Sequence, residues 1–285
     1  RVGKDRVMAT YRARVRARNH VAAFIKSFYR RSDMSMLELT PDFIKEFAAY
    51  LSTEAGLRNG SIWANCMWLK GVVMKAHYNG LIPRNPFIQF HISPNVKERE
   101  YLTEDELKAV MTHEFADSKL AYIRDIFIFA SFTVLSFVDI QELTNDNIVE
   151  VNGEKWILSK RHKTKVAFQV KLLDIPLQIV ERYRPMQKDN RIFPDLNYWS
   201  ICKPLKRMIR ECGITKSISF HCSRHGFATL ALSKGMPIES VSRVLGHTNI
   251  VTTQLYAKIT TQKLDNDLTM FGDKLSKTFN GITMS

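Results

Sequence analysis

The amino-acid sequence predicts a mainly α-helical chain carrying one small antiparallel β-sheet, an α+β arrangement in two parts. Three observations carry that prediction. Apolar residues recur at helical spacing from the start of the chain to Gly80. One stretch, Thr144 to Lys171, changes to short β-prone segments broken by Asn152-Gly153, a dipeptide suited to a tight hairpin turn. From Pro176 onward the helical spacing returns.

Taken in order, Arg12, Arg14, Arg16 and Arg18 precede Val21, Phe24, Ile25 and Phe28, which describes one helix with a basic start and a buried face. Thr40 is placed to cap a second helix with Pro41 at its first position; Phe43, Ile44, Phe47 and Leu51 face inward, and Gly56 follows its end. Asn59-Gly60-Ser61 is read as the cap of a third helix, on which Ile62, Cys66, Leu69, Val73 and Ala76 form the buried stripe. Residues 1–92 therefore read as a helical domain. Residues 93–101, with Pro94 and the run Lys97-Glu98-Arg99-Glu100, read as a linker, and residues 102–285 as a second domain. Thr103 and Glu106 have the spacing of a capping box that opens its first helix. A buried helix spans Leu120 to Leu135. Beyond the sheet, helices are expected at Pro176–Tyr183, Ser200–Glu211, Ser223–Lys234, Ile238–Val244 and Ile250–Ala257. Leu264, Leu268, Phe271, Leu275 and Phe279 then mark an amphipathic tail helix.

Composition narrows the function. Lys and Arg outnumber Asp and Glu by 42 to 28, a net charge of +14, which points to a polyanionic partner, nucleic acid first. Residues 1 to 95 hold 15 basic against 6 acidic side chains (+9), leaving 27 against 22 (+5) for the rest. No apolar run is long enough for a membrane span and no secretion signal opens the chain, so a soluble cytoplasmic protein is expected. Cys66, Cys202, Cys212 and Cys222 lack zinc-ligand spacing, and no phosphate-cradling glycine loop is present. Neither metal, nucleotide cofactor nor disulfide is expected.

The chemistry concentrates near the C-terminus, in His221-Cys222-Ser223-Arg224-His225, Leu245-Gly246-His247 and Leu255-Tyr256. A tyrosine attacks phosphorus through its phenolic oxygen, an arginine neutralises non-bridging oxygens with a bidentate fork, and histidines donate to charge that builds in the transition state. Singly, each residue has a commoner structural reading: a core histidine, a solvated arginine, a half-buried tyrosine. Order, spacing and residue type together, in a basic chain, favour chemistry. His225 projects about 100° from Arg224 around the helix and reads as packing.

This pattern resembles the C-terminal signature of the tyrosine recombinases, the phage integrase family. The resemblance implies that Tyr256 is the nucleophile, that Arg224, His221 and His247 stabilise the pentavalent phosphorus, and that residues 1–92 are the DNA-clamping core-binding domain, ending in a run like Gly80 to Phe87. It places the family's hairpin lysine, the general acid, at Lys163, while Lys160 and Lys165 flank it, and a hairpin that only touches phosphates remains the plainer alternative. The implied partners are double-stranded DNA attachment sites and three further copies of the chain, a homotetramer on two DNA sites. A DNA-bending host factor and an excision factor are further candidates, and no membrane is involved. Because the chain opens at Arg1 without Met, an additional N-terminal arm-binding domain is expected to precede it. A type IB topoisomerase-like enzyme and a DNA-binding relative without catalysis are the alternatives.

One position departs from the family pattern. Where the family has a threonine-glycine-leucine-arginine turn and then an acidic residue, this chain reads Thr133-Val134-Leu135-Ser136-Phe137-Val138-Asp139. Ser136 stands where the first catalytic arginine belongs, as in a subgroup of conjugative-transposon integrases that this sequence looks similar to. A dead enzyme, a shifted motif and replacement by another cation are all open. Replacement is favoured, because Arg161 lies two residues from Lys163 and residues two apart on a strand share a face. An Arg161 turned away from Arg224 and Tyr256 would end that idea. Asp139 is expected to orient the cluster, with an exposed helix-end carboxylate as the alternative.

Overall fold

A computed structural model describes residues 8–94, 100–162, 166–187, 189–247, 249–256 and 261–278. The chain divides into two units, Arg1–Glu98 and Arg99–Ser285. In the first, α1 (Met8–Phe28), α2 (Pro41–Thr53) and α3 (Asn59–Tyr78) enclose an aromatic core. Phe24, Phe43, Phe47 and Phe87 are all sealed from solvent, each worth about 2 to 3 kcal/mol of transfer free energy. Thr40 caps α2 as its sequence suggests, its hydroxyl accepting from Phe43 N at 3.4 Å with Pro41 in the first turn. The start of α3 differs from the sequence reading. Ser61 N and Ile62 N already bond to the Arg58 carbonyl, at 2.8 and 3.0 Å. Arg58 therefore holds the cap position without a side-chain bond, and Asn59-Gly60-Ser61 lies inside the first turn.

The second unit is built around α5 (Ser118–Thr133), buried on every side and packed by α7 (Asp174–Tyr183), α8 (Tyr198–Glu211) and α9 (Cys222–Ser233). Before it runs α4 (Glu104–Thr112), opened by the Thr103/Glu106 capping box. After it comes a short helix not read from sequence, α6 (Phe137–Gln141). The sheet has three antiparallel strands in the order β1 (Ile148–Val151), β2 (Glu154–Lys160), β3 (Ala167–Lys171). Asn152 (φ 52°) and Gly153 (φ 76°) make the turn between β1 and β2, both in the left-handed region this hairpin needs. Ile157, Phe168 and Val170 face the core, while Leu158 and Lys160 face out. The chain then continues through α10 (Ile238–Leu245), the single turn α11 (Val251–Gln254) and the tail helix α12 (Thr261–Thr278). The fold is mainly α with a small antiparallel sheet, as the sequence predicts. Among the described residues no helix is long and apolar enough to cross a membrane.

Candidate active site

Two helix ends create the site. α5 stops at Val134, a buried β-branched residue held at φ +60°, ψ +18°. Left-handed backbone is uncommon for non-glycine residues and an outlier for valine; such a conformation costs on the order of 1 to 3 kcal/mol and persists only where the surroundings enforce it. Here the surroundings are two guanidinium groups. Arg161 Nη1 donates to the Val134 carbonyl at 3.2 Å, and Arg224 Nη1 donates to the same oxygen. The C-terminal end of α10 holds the other side of both: Arg161 Nη2 donates to Val244 O at 2.9 Å, and Arg224 Nη2 to Leu245 O at 2.6 Å. Terminal carbonyls without helical partners carry the negative end of the helix dipole, so two such ends suit two cations.

Arg161 is the more enclosed of the pair, 6% exposed, with its guanidinium carbon 4.1 Å from the Phe168 ring centre. Room for it comes from Gly246, which ends α10 at φ +68°; a Cβ there would stand 3.2 Å from Arg161 Nε. That Nε–H has no hydrogen-bond partner among the described residues. Asp139 is the counter-ion, its Oδ2 accepting from Arg161 Nη1 at 3.0 Å and from the Ser136 hydroxyl at 2.8 Å, and its Oδ1 accepting from His162 N at 3.0 Å. Burial alone would raise the Asp139 pKa; the bonds from His162, Ser136 and Arg161 outweigh burial and hold it below its ordinary value. Asp139 is thus a buried carboxylate bonded to Ser136, Arg161 and His162, not an exposed one. Ser136 caps α6 in a reciprocal box with Asp139.

Arg224 is drawn down to about 10, by burial first and by the Arg161 charge next, and stays protonated at neutral pH. His247 is lowered in turn by burial, then by Arg224 and Arg161, which favours its neutral imidazole. Tyr256 lies against this group, its ring centre 6.5 Å from His247 in near-parallel orientation and 5.1 Å from His225. His225 in turn sits 4.9 Å from His221. His225 packs on Tyr256, because it stands one turn from His221 and the turn after α11 brings the tyrosine to that face. Lys163 and Lys165 lie outside the described residues; Lys160 is exposed at the end of β2. In the other unit Arg12, Arg14, Arg16 and Arg18 are all exposed along α1.

Residues 100–263 match the model of the phage integrase family, and residues 1–92 match that of the phage integrase SAM-like domain. The chain belongs to the phage integrase family. Tyrosine recombinase XerA of Pyrococcus horikoshii is 32% identical over 177 residues, 57% of this chain and 58% of XerA, so the match spans little more than half of that relative. Tyrosine recombinase XerC of Lactobacillus leichmannii is 25% identical over 229 residues, covering 75% of this chain and 77% of its own. Among solved structures, the Tn1549 transposon integrase in complex with circular intermediate DNA superposes with a TM-score of 0.77 at 17% identity, over 93% of this chain and 94% of that one. A λ integrase dimer bound to a core site gives 0.71 at 16% identity over 89% of each. At such identities the likeness speaks for the fold.

Val134 and Gly246 figure in the sequence motifs only as members of longer runs, and Thr253 not at all, yet all three line this cluster. The first two act through a backbone carbonyl and a missing Cβ, features that residue type does not announce. Thr253 is fully buried beneath His247. In the sequence it shows only as a threonine three residues before a tyrosine, and its depth is visible only in the fold.

Proposed function

We propose that this chain is a site-specific DNA recombinase that cleaves and rejoins strands through a covalent tyrosine intermediate, with Arg161 as the second phosphate-binding arginine. The observation that carries the reading is the single Val134 carbonyl shared by Arg161 and Arg224, beside a Tyr256 flanked by His225 and His247. Two guanidinium groups held together on one carbonyl, near a tyrosine, suit the non-bridging oxygens of one phosphodiester. Tyr256 gives up its phenolic proton to solvent and attacks phosphorus, the P–O5′ bond breaks, Lys163 gives its proton to the departing 5′-oxygen, and a 3′-phosphotyrosyl bond keeps the energy of the broken linkage. A 5′-hydroxyl from a partner duplex then attacks the same phosphorus and releases Tyr256. Two rounds pass through a Holliday junction. Of the three readings of Ser136, its role as the cap of α6 and the inward turn of Arg161 favour replacement.

On this reading residues 1–92 clamp DNA, with Arg12, Arg14, Arg16, Arg18, Lys160 and Lys165 on phosphates, and the substrates are attachment sites of a mobile element such as a conjugative transposon. Assembly is a homotetramer on two sites. Leu264, Leu268, Phe271 and Leu275 lie exposed along α12, and an apolar groove lined by Leu102, Leu107, Phe132, Leu173, Phe227 and Leu230 suits such a helix from a neighbouring copy. The test is a nicked suicide substrate carrying the native site. The expected result is an SDS-stable protein–DNA adduct that is absent in Tyr256→Phe. Site binding without an adduct would make the chain a DNA-binding relative, and rejoining confined to the same strand, scored with two labelled duplexes, would make it topoisomerase-like.

A further inference from the structure

Thr253 reaches two members of the cluster at once. Its side chain is fully buried on α11, and its hydroxyl lies 2.9 Å from Nδ1 of His247. Its carbonyl accepts the Tyr256 N–H at 3.0 Å, and its own N–H is bonded to Ile250 O at 2.7 Å. A buried threonine on a helical turn commonly returns its hydroxyl to a carbonyl of the preceding turn. Thr133 and Thr229 do so here, bonding to Phe129 O and His225 O. Thr253 instead spends its hydroxyl on an imidazole.

That choice decides where the imidazole proton sits. A neutral histidine carries one ring proton, and the partner of one nitrogen sets the state of the other. If Nδ1–H donated to Thr253 Oγ1, the opposite nitrogen would present a lone pair, which repels phosphate oxygens. If the hydroxyl donates to Nδ1, the proton belongs to Nε2, and the ring becomes a donor on its far edge. Only the second arrangement helps a phosphate whose charge is growing. We infer that Thr253 is a positioning residue, donating its hydroxyl to His247 Nδ1 to fix the Nε2–H tautomer while its carbonyl holds the backbone of Tyr256 in the same short turn. The catalytic consequence rests on the recombinase reading; the tautomer does not.

The test is made on the full chain labelled with ¹⁵N-histidine. Long-range ¹H–¹⁵N correlations separate the two tautomers, and the His247 signal is identified by its loss in His247→Gln. The expected result is Nε2–H in the unaltered chain and in Thr253→Ser, with a mixture in Thr253→Val, which keeps shape and removes the hydroxyl. Cleavage of the suicide substrate at saturating DNA should slow by about tenfold to a hundredfold in Thr253→Val, with DNA affinity unchanged and with Thr253→Ser restoring the rate. In a His247→Gln background Thr253→Val should slow cleavage no further. An Nδ1–H tautomer in the unaltered chain overturns the inference even if no Thr253 variant folds. So does a Thr253→Val chain that keeps both tautomer and rate, or one slowed equally without His247. A chain that forms no adduct defeats the recombinase reading and leaves the tautomer measurement to decide the role of Thr253.

Discussion

The helical unit and the arginine cluster bury their side chains by opposite means. Phe24, Phe43, Phe47 and Phe87 are inside because water rejects them, and any well-shaped apolar neighbour satisfies them. Arg161 is as deeply placed as many core residues, yet it stays charged, and its position depends on named atoms: two carbonyl oxygens at helix ends, one carboxylate and the face of one ring. The first kind of burial is tolerant of chemistry and sensitive to volume. The second is the reverse, since a buried charge without its partners costs several kcal/mol.

The sharpest way to break that contrast is a truncation in each region. Phe47→Ala should cost about 3 to 5 kcal/mol of stability, read by chemical denaturation, and leave adduct formation per folded molecule little changed. Arg161→Ala should lower the single-turnover cleavage rate about 100- to 1000-fold, the loss expected for one preorganised donor on a phosphate; a loss below tenfold would return the missing-arginine question to Lys163 or its neighbours. Next comes Gly246→Ala, where a Cβ 3.2 Å from Arg161 Nε at positive φ strains the backbone and pushes against the guanidinium. Cleavage should fall about tenfold or more at a stability cost of about 1 kcal/mol, and retention of full rate would show that Arg161 has slack. The smallest effect is on acid stability. Asp139 is held below its ordinary value, so its contribution is fully present above the unfolded carboxylate pKa of about 3.9 and is lost as pH falls through the lower folded value. Asp139→Asn should flatten the stability curve at its acid end, measured by urea unfolding across that range.

The same contrast explains what could be read in the sequence. Periodicity places α1, α2, α5 and the hairpin because those elements are organised by what water excludes, and Thr40 and Thr103 are legible because a cap acts within three residues of itself. The early start of α3 escaped because Arg58 contributes only its carbonyl. In the site, the order of His221, Arg224, His247 and Tyr256 along the chain already carries the resemblance to the family. Val134 joins Arg161 across 27 residues and Arg224 across 90, through an oxygen every residue possesses. Spacing along the chain cannot report such a meeting. The partner of His225 is hidden for a related reason: the angle around its own helix says nothing about the turn after α11, which arrives from elsewhere and lays Tyr256 on it.

The capping box of Ser136 and Asp139 has a consequence for how such a chain changes over time. An arginine at 136 would remove the cap of α6, strip one hydrogen bond from Asp139 and bring a third guanidinium to a place already holding two. Losing Arg161 first would strand Asp139 as a buried carboxylate without its cation. Either single step is harmful, so the two arrangements are separated by a fitness valley that only a paired change crosses. Positions 136 and 161 should therefore covary among relatives, arginine at one accompanying a small or uncharged residue at the other, and Ser136→Arg with Arg161→Ala should be healthier than either change alone.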